Sequence, residues 1–406
     1  MRRGGLEVAQ VLRRFLGGYR QRYGGLGRDQ ARVVSALTAC RTAELGGHVD
    51  ACDACGFQRI SYNSCGNRHC PKCHASATAG WLERERAYLL PVPYAHVVFT
   101  LPHLLAPLAL QNPRIFYGLL FRAAAKTLLE IAADPKHLGG LIGFVAILHT
   151  WGQSLIHHPH LHCLVPAGGL APGEGRWISC RAGFFLPVRV LGALFRGKYL
   201  ALLEQSFRRG QLVFHGQLRG VADPTAFGRL LKQARRKKWV VYAKPPFAGP
   251  EPVLKYLARY THRIALSNDL LLGIDETAVT FTWKDYRHGA RSEPMRLDPV
   301  EFVRRFLLHA LPRGFVRIRR YGILSNAQRQ QRLTRCRELL GLDEGSPTSS
   351  DATPSESLDH EPQERNGASA RGIVCDACQQ GRMRTLEWIL PLHHPAARAP
   401  PVRCLP

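Results

Sequence analysis

The chain has 406 residues, 45% of them hydrophobic, enough for the cores of two or three domains. Its 56 Lys and Arg against 30 acids leave a net charge of +26, an excess that selects a polyanionic partner, nucleic acid above all, over a secreted cationic protein or a membrane-surface binder. The longest apolar run near the centre, Leu138 to Leu148, is too short to span a bilayer, and Met1-Arg2-Arg3-Gly4-Gly5 leads into an Arg-rich mixed segment, not an apolar leader. A cytoplasmic, nucleoid-associated protein with no membrane partner is the expectation.

Residues 1–30 carry Arg2, Arg3, Arg13, Arg14, Arg20, Arg22 and Arg28, with Val8, Val11, Leu12 and Phe15 at helical spacing. This predicts a basic amphipathic helix. Residues 31–90 hold six of the 12 cysteines. In a reducing compartment such a cluster reads as metal binding, not disulfides. Cys52-Asp53-Ala54-Cys55-Gly56 and Cys70-Pro71-Lys72-Cys73 are two C-x2-C knuckles, the four thiolates of a structural Zn²⁺ site in a zinc-ribbon-like DNA-recognition module. Cys40, His48, Cys65 and His69 remain as a second zinc set or as buried thiols and surface imidazoles.

Residues 91–297 read as a catalytic domain. His96-Val97-Val98-Phe99-Thr100-Leu101-Pro102 predicts a strand, followed by a helix over 103–133. Gly143 to Trp151 is a second strand, and Ile156-His157-His158-Pro159-His160-Leu161-His162-Cys163-Leu164-Val165 a third. His160 and His162 flank one hydrophobic residue, so a strand projects both imidazoles from one face. The last two strands pair as a hairpin, which brings Gln153 or His149 beside them, Gln153 by its carbonyl oxygen as third ligand. Two imidazoles and an oxygen with open positions suit Mg²⁺ or Mn²⁺. Dense cations follow in helices over 186–236, ending in Arg235-Arg236-Lys237-Lys238. A strand is expected over 239–244 and a turn over 245–250. In Lys255-Tyr256-Leu257-Ala258-Arg259-Tyr260-Thr261-His262-Arg263, Tyr256 and Tyr260 share one helical face, with Lys255, Arg259 and Arg263 interleaved to bind DNA. The tyrosines either pack the helix or act as nucleophiles whose phenolates the cations favour. Residues 264–297 read as a β-ribbon.

Residues 298–340 read as a basic helical DNA-binding extension, with Arg317, Arg319 and Arg320 as a phosphate stripe. Residues 341–406 read as a disordered linker and tail rich in Ser, Pro and acids, carrying a lone Cys375-Asp376-Ala377-Cys378 pair with no assigned role.

Five segments occur in one order: the cysteine module through Asn67-Arg68-His69-Cys70-Pro71-Lys72-Cys73, His96 to Pro102, His149 to His162, Tyr256 to Arg263, and Arg304 through Tyr321-Gly322. Together they resemble the rolling-circle transposases of the insertion sequence 91 family, two-tyrosine members of the His-hydrophobic-His (HUH) endonuclease superfamily. The resemblance implies an α+β fold with a ferredoxin-like antiparallel sheet and helices on one side. It implies His160, His162 and Gln153 as ligands of the catalytic cation and Tyr256 and Tyr260 as nucleophiles. The expected partners are single-stranded DNA at insertion-element ends and target, and the host replication machinery. A plasmid replication initiator or relaxase using the same chemistry, or a non-catalytic zinc-dependent DNA-binding regulator, are the alternative readings.

Overall fold

In a computed structural model, residues 5–247, 249, 252–253, 265–285, 291–341 and 373–392 are described. The apolar residues at helical spacing near the N-terminus build α1 (Val8–Tyr23), which buries Val8, Val11, Leu12, Phe15 and Tyr19 and leaves its arginines outward. After α2 (Arg28–Ala39), β1 (Gly47–Cys52) and β2 (Gln58–Tyr62) form an antiparallel hairpin. Pro71 then sits in the first turn of α3 (Pro71–Arg86), where its missing N–H costs nothing.

The apolar strand signals hold. β3 (Tyr94–Thr100) leads to helices that differ from the single one expected over 103–133. They divide into a short turn, α4 (Ala106–Gln111) and α5 (Pro113–Ala133). Pro113 disfavours helical geometry at Asn112. Asn112 is instead used as a brace, its amide donating to Val213 O at 2.9 Å and its Oδ1 accepting from Val213 N at 2.8 Å. β4 (Gly143–Trp151) and β5 (His157–Pro166) form the expected hairpin, followed by a small pair, β6 (Gly168–Leu170) and β7 (Trp177–Ser179). Two helices, α6 (Val188–Arg208) and α7 (Pro224–Arg236), lead to β8 (Val241–Phe247). β8 runs through Pro245, Pro246 and Phe247, where the sequence suggested a turn, because an edge strand tolerates proline.

A three-stranded ribbon of β9 (Leu271–Ile274), β10 (Val279–Asp285) and β11 (Arg291–Leu297) precedes α8 (Pro299–Leu307). β12 (Ile318–Gly322) and α9 (Arg329–Leu339) follow. Gly322, at φ 62°, lets the chain turn against Ile142 O, where any Cβ would collide. In the expected tail, β13 (Met383–Ile389) returns to pair antiparallel with β1.

The central sheet is antiparallel, in the order β12-β4-β5-β3-β8. Phe99, Ala146, Leu148, Leu161, Cys163 and Val165 point into one core beneath α5 and α6, with Phe195, Tyr199 and Trp239 packed edge-on and tilted within it. The opposite face carries Tyr94, Val145, Ile147 and Leu164, joined by Trp81 of α3, Leu333 and Cys336 of α9, and Val253. A further core joins α1, α2, α8 and the ribbon through Leu12, Leu37, Phe281 and Phe302. It also takes in Leu155 at the tip of the β4–β5 hairpin. The protein is thus a mixed α+β chain with antiparallel sheets, helices α5 and α6 covering one face of the central one.

On the other face, Arg320 of β12 makes an ion pair with Glu85 of α3, whose side chain is 2% exposed. A buried carboxylate stripped of its partner costs about 3–5 kcal/mol. Arg320→Met should therefore lower the urea unfolding free energy by about 3 kcal/mol; a loss under about 1 kcal/mol, the size expected of a surface pair, would contradict it.

Candidate histidine centre and zinc-binding module

Strand parity sends Leu161 and Cys163 into the core and His160 and His162 to the other face. The β4–β5 register sets His149 opposite His160 and Ile147 opposite His162. One nitrogen from each of His149, His160 and His162 lies within 4.8 Å of the others, and the two Nε2 atoms of His160 and His162 are 3.1 Å apart. Two imidazoles on one cation, with bonds of about 2.1 Å, place their nitrogens about 3.0–3.4 Å apart.

The partners of these rings fit ligand duty. His160 Nδ1–H donates to His158 O at 2.6 Å, which leaves the Nε2 lone pair facing the centre. His162 Nδ1 lies 2.9 Å from Nε2 of His96, and the two rings stack nearly parallel. With the proton on Nδ1, His162 donates to His96 and turns its Nε2 lone pair toward Nε2 of His160. Burial holds His160 and His96 neutral, each pushed down to about 4. It also holds His162 well below the usual imidazole value, with His149 and His160 adding to the effect.

Gln153, expected as third ligand, lies exposed in the turn between β4 and β5. His149, which the hairpin was also expected to bring beside the pair, is the residue that the register sets against His160. His96 is a fourth imidazole that spacing on β5 gives no hint of. Its signal is a histidine set within an otherwise mostly apolar run.

The hairpin tip is fixed by buried contacts. Leu155 has a left-handed backbone at φ 59° and a fully buried side chain. That conformation costs a branched residue roughly 1–2 kcal/mol. Its carbonyl accepts from His309 Nε2–H at 3.0 Å, which leaves Nδ1 to accept from Thr150 Oγ1 at 3.2 Å. Arg305 donates to Ser154 O at 3.0 Å. His69 ties the same region to the cysteine module: Nδ1–H donates to Asn67 Oδ1 at 3.0 Å, and Nε2 accepts from Leu311 N at 3.2 Å.

The cysteines do not group as the knuckle spacing suggests. Cys70 and Cys73 converge with Cys40 and Cys65, whereas Cys52 and Cys55 converge with Cys375 and Cys378. The expected set of Cys52, Cys55, Cys70 and Cys73 is divided because β1 and β2 carry the first knuckle away from the start of α3. In the first quartet, Cys40 Sγ and Cys65 Sγ lie 3.6 and 3.7 Å from Cys73 Sγ. Tetrahedral thiolates bound at about 2.3 Å stand about 3.8 Å apart, so the quartet has the spacing of a Zn²⁺ site. Cys70 caps the N-terminus of α3, whose dipole favours the anionic sulfurs. His48 and His69 take no part. His48 lies 3.2 Å from Asp50 Oδ2 and packs edge-on against Trp388, and His69 is committed to Asn67 and Leu311.

The expected phosphate stripe is not a uniform exposed row. Arg317 is 7% exposed, and burial, with Arg68 nearby, pulls its guanidinium down to about 9. Arg319 lies over the Phe121 ring, and Arg320 is taken by Glu85. Alternation along β12 turns these residues into the two faces of the sheet. Exposed cations gather instead on α7 and its end, at Arg229, Lys232, Arg235, Arg236, Lys237 and Lys238. The last two border a cleft with Pro102 and His103. Lys255, Tyr256, Arg259, Tyr260 and Arg263 lie outside the described residues.

Known proteins define the class. A family described as "Transposase zinc-binding domain", of the insertion sequence 91 type, matches residues 11–101, and one described as "Putative transposase" matches residues 143–332. The chain is 54% identical to "Putative transposase y4qJ" of Sinorhizobium fredii, over 95% of this chain and 96% of that one. It is 30% identical to "Transposase for insertion sequence element IS801" of Pseudomonas savastanoi pv. phaseolicola, over 80% and 77% of the two chains. No solved structure matches. These relationships define a transposase carrying a zinc-binding domain. The chain belongs to the insertion sequence 91 family. No described helix is long and apolar enough to cross a membrane.

Burial of neutral imidazoles carries a pH signature. His309, His160 and His96 all have folded values near 4 against about 6.5 when unfolded. The unfolded chain binds more protons in between, so their contribution is complete above about pH 6.5 and is lost as pH falls through about 4. The urea midpoint of metal-free protein should fall steadily across that window; a flat profile would contradict neutral burial.

Proposed function

We propose that this transposase moves its element by a rolling-circle route, cutting and rejoining single-stranded DNA through 5′-phosphotyrosine links on a ferredoxin-like core of the HUH type. The observation that carries the reading is the convergence of His149, His160 and His162 on the face of the sheet opposite α5 and α6. Val253, buried in the cluster with Leu164 on that face, stands three residues before Tyr256 in the sequence.

Three imidazoles converging on one point fit Mn²⁺ readily and Mg²⁺ less well, since imidazole is the softer donor. When bound, the cation supplies Lewis-acid polarisation of the scissile phosphate. His160 and His162 offer their Nε2 atoms, and His96, 2.9 Å from Nδ1 of His162, holds that ring in place. Tyr256 or Tyr260 attacks the phosphorus: the Oη–P bond forms, the bond to the 3′ oxygen breaks, and the phenolic proton ends on the released 3′-OH. Host replication can extend that hydroxyl. The second tyrosine allows a second cleavage and strand exchange without hydrolysis, and the phosphotyrosine link conserves the energy of the cut bond. Lys255, Arg259 and Arg263 hold the phosphodiester, and the cations of α7 with the zinc module bind element-end DNA.

Labelled single-stranded element-end DNA, incubated with protein and Mn²⁺ or Mg²⁺, should give a covalent adduct on denaturing gels. Tyr256→Phe with Tyr260→Phe should abolish adducts while DNA binding persists; adducts that survive would exclude the tyrosines. His149→Ala and His160→Ala should each lose metal-dependent cleavage, whereas Gln153→Ala should keep it. His96→Ala should weaken metal affinity by about 10–100-fold. Loss of cleavage in Gln153→Ala with retention in His149→Ala would reverse the ligand assignment.

A further inference from the structure

The second cysteine quartet joins segments more than 300 residues apart, Cys52 and Cys55 near the N-terminus and Cys375 and Cys378 in the tail. We propose that these four thiolates hold a second structural Zn²⁺, which clasps β13 onto the β1–β2 hairpin and completes a zinc ribbon from the two ends of the chain.

The two halves match residue for residue. Both knuckles read Cys-Asp-Ala-Cys, at 52–55 and 375–378. In each, the residue after the second cysteine is left-handed, Gly56 at φ 71° and Gln379 at φ 58°. In each, that residue's N–H returns to the carbonyl of the first cysteine, Gly56 N to Cys52 O at 3.1 Å and Gln379 N to Cys375 O at 3.0 Å. Ala54 and Ala377 donate their N–H groups to Cys52 Sγ and Cys375 Sγ, both at 3.4 Å. Such donors stabilise thiolate charge. The aspartates are exchanged between halves. Asp53 sits 3.3 Å from Arg384 of β13, and Asp376 sits 2.9 Å from Arg59 of β2.

The sulfurs have the spacing of a tetrahedral site. Cys52 Sγ and Cys378 Sγ are 3.6 Å apart, and Cys55 Sγ and Cys375 Sγ 3.8 Å, against about 3.8 Å for thiolates bound to Zn²⁺ at about 2.3 Å. The backbone is fitted around them. Gly381 lies so close to Cys52 Sγ and Ala54 that no side chain would fit there. Cys375 is fully buried in a cluster whose other described members are Cys52, Met383 and Cys378. So small an apolar cluster supplies little burial energy. A structural Zn²⁺ contributes on the order of 10 kcal/mol in small modules, which accounts for how a strand arriving from so far away is held in register with β1.

The whole chain, purified under reducing conditions, should contain two zinc ions per molecule, and Cys375→Ser with Cys378→Ser should contain one. A single zinc in the unaltered chain, or two retained in the variant, would overturn the clasp. A measurement on the unaltered protein covers the case in which the variant misfolds. Thiol alkylation read by mass spectrometry during stepwise chelation should show Cys52, Cys55, Cys375 and Cys378 becoming reactive together. Alkylation of Cys375 and Cys378 while Cys52 and Cys55 stay protected would sink the proposal.

Discussion

The arrangement depends first on the register between β4 and β5. Because side chains alternate across a strand, a slip of one residue would turn His160 and His162 into the core and Leu161 and Cys163 out to solvent. The native pairing sets His149 against His160 and packs Leu148 and Leu161 under α5 in the same stroke. The core and the histidine centre are thus two faces of one constraint. The tip that joins the strands is clamped by Leu155, whose unfavourable backbone is tolerated because its side chain is buried and its carbonyl is taken by His309.

The thiol quartets extend this logic to the periphery. Cys70-Pro71-Lys72-Cys73 closes one quartet and starts α3. That helix ends by setting Trp81 and Glu85 against the face of the central sheet that bears the histidines. The module's Cys40 and Cys70 share a core with Leu155 and with Phe302 of α8. A rigid thiolate module and the hairpin tip are therefore held by the same packed surface. The histidines then keep a fixed geometry without any described carboxylate in their cluster.

Charge plays two separate roles in the molecule. Some cations are structural: Arg320 neutralises Glu85, and Arg319 covers Phe121. Others, on α7, remain open to solvent and suit a polyanionic partner. The net charge does not distinguish these roles, since it counts a buried guanidinium and an exposed one alike.

Local pattern determined much of this protein. The apolar runs at His96 and Gly143 and the alternation around His160 specify strands, the spacing of Val8, Val11, Leu12 and Phe15 specifies a helix face, and the ordered motifs specify the transposase family. These features depend on near neighbours, and near neighbours are what a sequence displays. Which partners meet across long distances was decided by tertiary structure. His149 meets His160 because the register places it there. Arg317 is buried just before β12, where its carbonyl accepts from Leu148 N of β4 at 3.0 Å. The two knuckles look like one site in the sequence, yet each completes its quartet elsewhere, one with Cys40 and Cys65 and the other with Cys375 and Cys378. Identical thiols give no local preference for one partner over another, so only the path of the backbone between them selects the pairing.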